Sequence, residues 1–142
     1  MDDNVSEKSG SITFSQGEIY TGSIKEGLPE GKGKMVFPDG GFYEGNFVEG
    51  LPKGKGKIEF NDESQFVGNF DDGKINGKGV YQFKDGTIFT GIYKSNNVNG
   101  EAKYIYRDGS IFKGNYLSNK RQGKGTLTIY DGSKITAIFN QG

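Results

Sequence analysis

Shifted against itself by 23 residues, the sequence aligns from Gly10 to its end without a gap, so any fold must repeat one short unit. Tyr20, Tyr43, Phe66, Phe89, Phe112 and Ile135 form one column. Two residues later come Gly22, Gly45, Gly68, Gly91, Gly114 and Ala137, and two beyond those Ile24, Phe47, Phe70, Tyr93, Tyr116 and Phe139. Bulky, small and bulky residues at every second position read as a strand with one buried face. A second strand follows in each unit, carrying Gly33, Gly56, Gly79, Ala102 and Gly125, then Met35, Ile58, Tyr81, Tyr104 and Leu127, then Phe37, Phe60, Phe83, Tyr106 and Ile129. The array counts five full units, 18–40, 41–63, 64–86, 87–109 and 110–132, between a half unit at 10–17 and another at 133–142. Residues 1–9 are acidic and polar and are expected to form a disordered tail.

The stretch Phe37-Pro38-Asp39-Gly40-Gly41 sets how the faces match. Proline suits the first corner of a type I turn, aspartate the second, and Gly40 the left-handed residue that completes a hairpin with a bulge. In that register Met35 lies opposite Tyr43 and Gly33 opposite Gly45, so the bulky and glycine columns share one face. Glycine accounts for 25 of 142 residues, a composition that by itself would suggest disorder. In a sheet the same glycines make room for a neighbour's ring, and the ring covers their bare backbone. Glu63 stands where the turn requires a left-handed residue, which predicts strain in the third turn.

The unit seen as GFYEGNFVEGLPKGKG at 41–56 and echoed as SQFVGNFDDGKINGKG at 64–79 resembles the MORN (membrane occupation and recognition nexus) repeat. The resemblance implies an all-β fold, an elongated single-layer antiparallel meander of hairpins. It also implies a non-catalytic scaffold module of cilia, cytoskeletal collars and junctions, or an appendage to lipid kinases and methyltransferases. The sequence departs from the pattern at Glu63, at Asn96 and Asn119 in place of the glycine of Gly27, Gly50 and Gly73, and at Ala102. About twelve strands at ~4.8 Å spacing would make a sheet about 55 Å long.

Function classes narrow quickly. With no histidine and no cysteine, the chain offers no imidazole base, thiolate nucleophile or soft metal ligand. Catalysis needs a unique constellation, and here every candidate residue recurs, so no enzyme activity and no cofactor are expected. Asp39, Asp62, Asp85, Asp108 and Asp131 recur once per turn, which is turn chemistry and not the crowded ligand set of a calcium loop. Eighteen basic and eighteen acidic residues cancel, which argues against nucleic acid as a partner. Without a secretory leader pattern or a long apolar run, the expected place is the cytoplasm, at a cytoskeletal, ciliary or membrane-associated scaffold.

Three candidate surfaces remain. Ile88, Ile92, Ile105 and Ile111 interrupt the face expected to be polar, with Ile105 opposite Ile111 and the other two diagonal, which suits docking of a protein partner. Lys32, Lys34, Lys55, Lys57, Lys78 and Lys124 are expected along one margin of the sheet, where anionic lipid such as a phosphoinositide is the alternative ligand. Acidic Glu26, Glu30, Glu49, Asp71 and Asp72 are expected to cancel much of that charge. Ile135, Ala137, Ile138 and Phe139 lie on the last strand, an edge that a second copy could extend to make a homodimer.

Overall fold

The computed structural model describes residues 7–140. Its strands are β1 (Glu7–Thr13), β2 (Ile19–Lys25), β3 (Leu28–Val36), β4 (Phe42–Val48), β5 (Leu51–Glu59), β6 (Gln65–Asp71) and β7 (Lys74–Gln82). They continue as β8 (Ile88–Lys94), β9 (Asn97–Val98), β10 (Gly100–Ile105), β11 (Ile111–Leu117), β12 (Lys120–Thr128) and β13 (Lys134–Phe139). All thirteen join one antiparallel sheet whose spatial order follows the sequence, with short β9 beside β8. This is the single-layer meander the repeat predicts. Its first strand begins at Glu7, so three residues assigned to the tail pair with β2. Residues 1–6 of that tail lie outside the described residues.

The predicted register holds: Met35 pairs with Tyr43 and Gly33 with Gly45. Each ring of the first column lies over the glycines of its own hairpin. A Cβ built on Gly68 would sit 2.6 Å from Cζ of Phe66 and 2.9 Å from the carbonyl oxygen of Lys78. One on Gly125 would sit 2.5 Å from Cζ of Phe112. The rings then join edge to face from one repeat to the next. Tyr43 meets Phe47 at 5.1 Å and Phe70 at 5.0 Å, and Phe66 meets Phe70 at 6.0 Å and Tyr93 at 5.3 Å. A sheet without a second layer thus buries Tyr20, Tyr43, Phe47, Phe66 and Phe70 in one continuous cluster. Burial raises the phenols of Tyr43 and Tyr93 to about 12. The Tyr43 hydroxyl donates to the Asn46 carbonyl at 3.0 Å.

Two kinds of turn alternate along the two sides. On one side Gly40 donates to the Phe37 carbonyl at 3.0 Å and Phe37 to the Gly41 carbonyl at 2.8 Å. Gly40 is left-handed at φ 97°, and Glu63 holds the same conformation at φ 74°, as the sequence requires of it. On the other side the turns have two residues, both left-handed, such as Glu49 (φ 50°) with Gly50 (φ 89°) and Ser118 (φ 48°) with Asn119 (φ 72°). That is a type I′ turn, whose twist matches the flanking strands.

Asn96 and Asn119 are substitutions with a partner. The N–H of Gly50 donates to the Pro29 carbonyl and that of Gly73 to Pro52, one repeat earlier. Asn96 and Asn119 make the same bond to Ile75 and Val98. Proline has no N–H to satisfy, but isoleucine and valine do. The Asn96 Oδ1 accepts the Ile75 N–H at 2.8 Å, and the Asn119 Oδ1 accepts the Val98 N–H at 2.7 Å. Glycine therefore accompanies proline, and asparagine accompanies a residue with a donor.

Two stability measurements check this packing. Gly68→Val forces a branched side chain against a ring and a backbone carbonyl, and should cost about 2 kcal/mol in chemical denaturation; a variant as stable as wild type would refute ring-over-glycine packing. Asn119→Gly strands the Val98 N–H and should cost about 1 to 2 kcal/mol. Adding Val98→Pro recreates the proline–glycine pair and should return most of that loss, whereas additive damage would show that the two positions are independent.

Candidate functional site: the second face of the sheet

The face opposite the rings is built from residues that alternate with the core columns. On it Lys57 pairs with Val67, Val67 with Val80, Val80 with Thr90, and Thr90 with Lys103. A parallel row pairs Lys32 with Asn46, Lys55 with Asn69 and Lys78 with Ile92. Between these rows a groove of about 890 Å³ runs over β5 to β10, floored by Gly68, Gly79 and Gly91 and lined by Val67, Val80 and Ile92. These three side chains are 50%, 43% and 47% exposed. A second groove of about 590 Å³ over β2 to β5 includes Lys32, Lys34 and Asn46, and shares Lys55 with the first.

The lysines sit differently from the expectation. Lys32, Lys55, Lys78 and Lys124 occupy strand interiors, so they run across the middle of this face instead of along a margin. A margin would have put them beside the turns. In fact Gly31, Gly54 and Gly77, at φ 90°, 78° and 91°, form bulges within the strands. There the register slips between Gly22 and Ile24, between Gly45 and Phe47, and between Gly68 and Phe70. Lys34 and Lys57 lie on the same face, each opposite Glu44.

The acidic residues expected to cancel them are placed elsewhere. Glu26, Glu49 and Asp72 are corners of two-residue turns, left-handed at φ 53°, 50° and 49°. Glu30 accepts the Glu49 N–H at 2.9 Å, and Asp71 is paired with Lys53. Among the described residues the ion pairs are Lys53 with Asp71 and Lys113 with Glu101, which leaves Lys32, Lys55 and Lys78 unpaired. The chain is neutral in sum and basic along this row.

Three of the four isoleucines come together. Ile105 pairs directly with both Ile88 and Ile111, making one cross-strand row near the ends of β8, β10 and β11. Ile92 pairs with Lys78 instead and lines the groove, because two further residues along a strand carry it past Thr90. Ile135, Ala137, Ile138 and Phe139 lie on β13, paired to β12 on one side, with Ile138 77% exposed. The Phe139 ring is already engaged, 6.0 Å from that of Phe112 and 5.2 Å from the Arg121 guanidinium. Sequence reasoning missed Val67, Val80, Asn46 and Asn69. The signal was there, since both valines fall at positions out of phase with the core columns.

In all five turns of the aspartate column a carboxylate Oδ1 accepts the N–H two residues on. Asp39 serves Gly41 at 2.9 Å, Asp62 Ser64 at 2.9 Å, Asp85 Thr87 at 2.8 Å, Asp108 Ser110 at 2.8 Å and Asp131 Ser133 at 2.9 Å. The Ser64 hydroxyl also donates to Asp62, and its bond is the largest influence holding that carboxyl below its ordinary value. For Asp85, Asp108 and Asp131 the backbone donors of Thr87, Ser110 and Ser133 come first, with the same direction.

An open sheet of repeated hairpins that seat rings over their own strand glycines defines a linear β-hairpin repeat array. The MORN repeat profile matches residues 20–42, 43–65, 66–88, 89–111 and 112–134, and the chain belongs to the MORN repeat family. These units begin two residues later than those drawn from the sequence, at the ring column itself. Among solved structures, the wild-type TCP10 domain of Danio rerio CPAP is similar with a TM-score of 0.56 at 16% identity, over 90% of this chain and 60% of that one. The TCP domain of SAS-4 (dCPAP) of Drosophila melanogaster, solved with a proline-rich motif of Ana2 (dSTIL), is similar with a TM-score of 0.54 at 16% identity, over 94% of this chain and 80% of that one. At such identity the likeness is one of fold. No curated protein sequence matches the chain. No helix among the described residues is long and apolar enough to cross a membrane.

The aspartate turns set an acid response. Because the folded carboxyls of Asp62, Asp85, Asp108 and Asp131 titrate below the ordinary value of 3.8, their contribution is complete above it and is lost as pH falls through the depressed folded value. Melting temperature should be flat down to about pH 5 and fall below about pH 4. Replacing Asp62, Asp85, Asp108 and Asp131 with asparagine keeps each Oδ1 and should flatten that fall; an unchanged acid limb would place the sensitivity in other carboxylates.

Proposed function

We propose that the array is a non-catalytic adaptor that holds segments of partner proteins across its second face, as part of a cytoskeletal, ciliary or membrane-associated scaffold. The observation that carries this reading is the groove in which Val67, Val80 and Ile92 stay half exposed between rows of lysine, asparagine and threonine. The fold supports it, since the similar SAS-4 domain is recorded with a proline-rich motif of another protein. So does the absence of histidine and cysteine from a chain whose remaining functional side chains recur in every unit. A second reading, that the face meets anionic lipid, has one specific observation in its favour, the unpaired row of Lys32, Lys55 and Lys78.

One experiment separates them. A photo-crosslinking residue in place of Val80 should capture a defined protein segment from cells of the source organism, and Val67→Ser with Ile92→Ser should abolish capture while circular dichroism is unchanged. Capture indifferent to those substitutions would remove the groove from function. In parallel, sedimentation with phosphoinositide vesicles at low salt should leave the chain in solution; binding lost in Lys55→Glu with Lys78→Glu would favour the lipid reading.

A further inference from the structure

The lysine row has a pitch, and pitch selects conformation. Lys32, Lys55 and Lys78 lie on β3, β5 and β7, each two strands from the next. Two strand spacings come to about 9.6 Å, so a ligand crossing the strands meets an amine at that interval. A polyproline II helix rises about 3.1 Å per residue with three residues per turn, so every third side chain returns to the same side after about 9.3 Å. Over both intervals the mismatch is only about 0.6 Å. An extended β-strand covers a similar distance in three residues, but its side chains alternate and every second amine would face the wrong side. An α-helix repeats its face every seven residues, about 10.5 Å, and drifts from the row by about 1.8 Å over the same span.

Chemistry agrees with spacing. The three amines have no carboxylate partner among the described residues. Asn46 and Asn69 stand beside them in the row with exposed side chains. A polyproline II backbone has no internal hydrogen bonds, so its carbonyls are free to accept from such amides. Val67 and Val80 supply the adjoining apolar wall. In the next repeat the lysine column holds Glu101, which sits near Lys113 at 3.7 Å, and so the row of three is interrupted there, before Lys124.

Resting on the reading of this face as a peptide-holding surface, we propose that it takes a proline-rich segment of a partner protein in the polyproline II conformation, with a carboxylate at every third residue. One carboxylate meets each of Lys32, Lys55 and Lys78, and the amides of Asn46 and Asn69 hold the backbone between them.

The probe is a synthetic peptide of four Glu-Pro-Pro triplets, titrated against the full chain by calorimetry at low and high salt. It should bind, weaken as salt rises, and lose at least tenfold in affinity with Lys55→Glu and Lys78→Glu, whose melting temperature should match wild type. A peptide of four Glu-Gly-Gly triplets has the same charge and spacing without the preformed helix, and should bind at least tenfold more weakly. A peptide with glutamate at every fourth residue in the same proline background should be weaker by a similar factor. Absent binding by the first peptide, or equal binding by all three, overturns the proposal. If Val80 crosslinking still captures a segment that depends on the groove, the adaptor reading survives and only the conformation and charge assigned here fall. Vesicle binding without peptide binding would assign the lysines to lipid and overturn it as well.

Discussion

A ring laid over a glycine is the interaction on which the rest of this molecule depends. A single-layer sheet has no opposing layer to bury its apolar face, and an aromatic side chain standing upright on it would stay wet. Laid flat across Gly22 and Gly33, or across Gly68 and Gly79, the ring reaches van der Waals contact with backbone that any other residue would cover with its own Cβ. The next ring meets its edge, and burial propagates along the sheet: Tyr20 to Phe47, Phe47 to Tyr43, Tyr43 to Phe70. Glycine-rich composition and folding are reconciled because the strand glycines seat aromatics and most of the others supply the left-handed residues of turns and bulges.

This packing couples each repeat to its neighbours, and the turns add a second coupling at the rim. A type I′ turn bonds back to the carbonyl of the preceding repeat, through Gly50 to Pro29 and through Asn119 to Val98. The extensive contacts run between strands adjacent in the sheet, and the rings reach to the next repeat, as a quasi-one-dimensional array requires. The second face inherits its shape from the first. The residues that alternate with the core columns line the groove, so it lies directly behind Gly68, Gly79 and Gly91.

The sequence carried the fold openly because period and glycine columns are visible without a structure: the register at Met35 and Tyr43, and the left-handed Glu63, both follow from FPDGG chemistry. What stayed hidden was set by bulges. Gly31-Lys32-Gly33 reads as a loop, and only pairing of Lys32 with Asn46 reveals a strand interior that turns the lysine onto the middle of a face. The exposed valines were obscured for a different reason, since apolar residues out of phase with a strong core column look like strand propensity. Asn96 and Asn119 looked like erosion of a motif because the group each one satisfies, the N–H of Ile75 or Val98, lies one repeat away.

The fourth repeat shows that the two faces are coupled in their failures too. Ala102 replaces the strand glycine there, and its Cβ lies 3.2 Å from where a Cβ on Gly91 would stand, with Phe89 withdrawn to 3.3 Å. A ring that has moved back no longer demands a bare backbone, which is why alanine is tolerated at this position and would not be at Gly79. The buried rings accordingly fall into two clusters, one from Tyr20 to Phe70 and one around Phe89, Ala102 and Tyr116. The second strand of this hairpin is also interrupted, β9 ending at Val98 and β10 starting at Gly100. In the same repeat the lysine column becomes Glu101. The ring packing loosens and the amine row is interrupted in the same repeat, and both resume in the next, where Gly125 lies under Phe112 and Lys124 returns to the lysine column. The two faces change together because one hairpin supplies both, Ala102 altering the ring face and its chain neighbour Glu101 the opposite one.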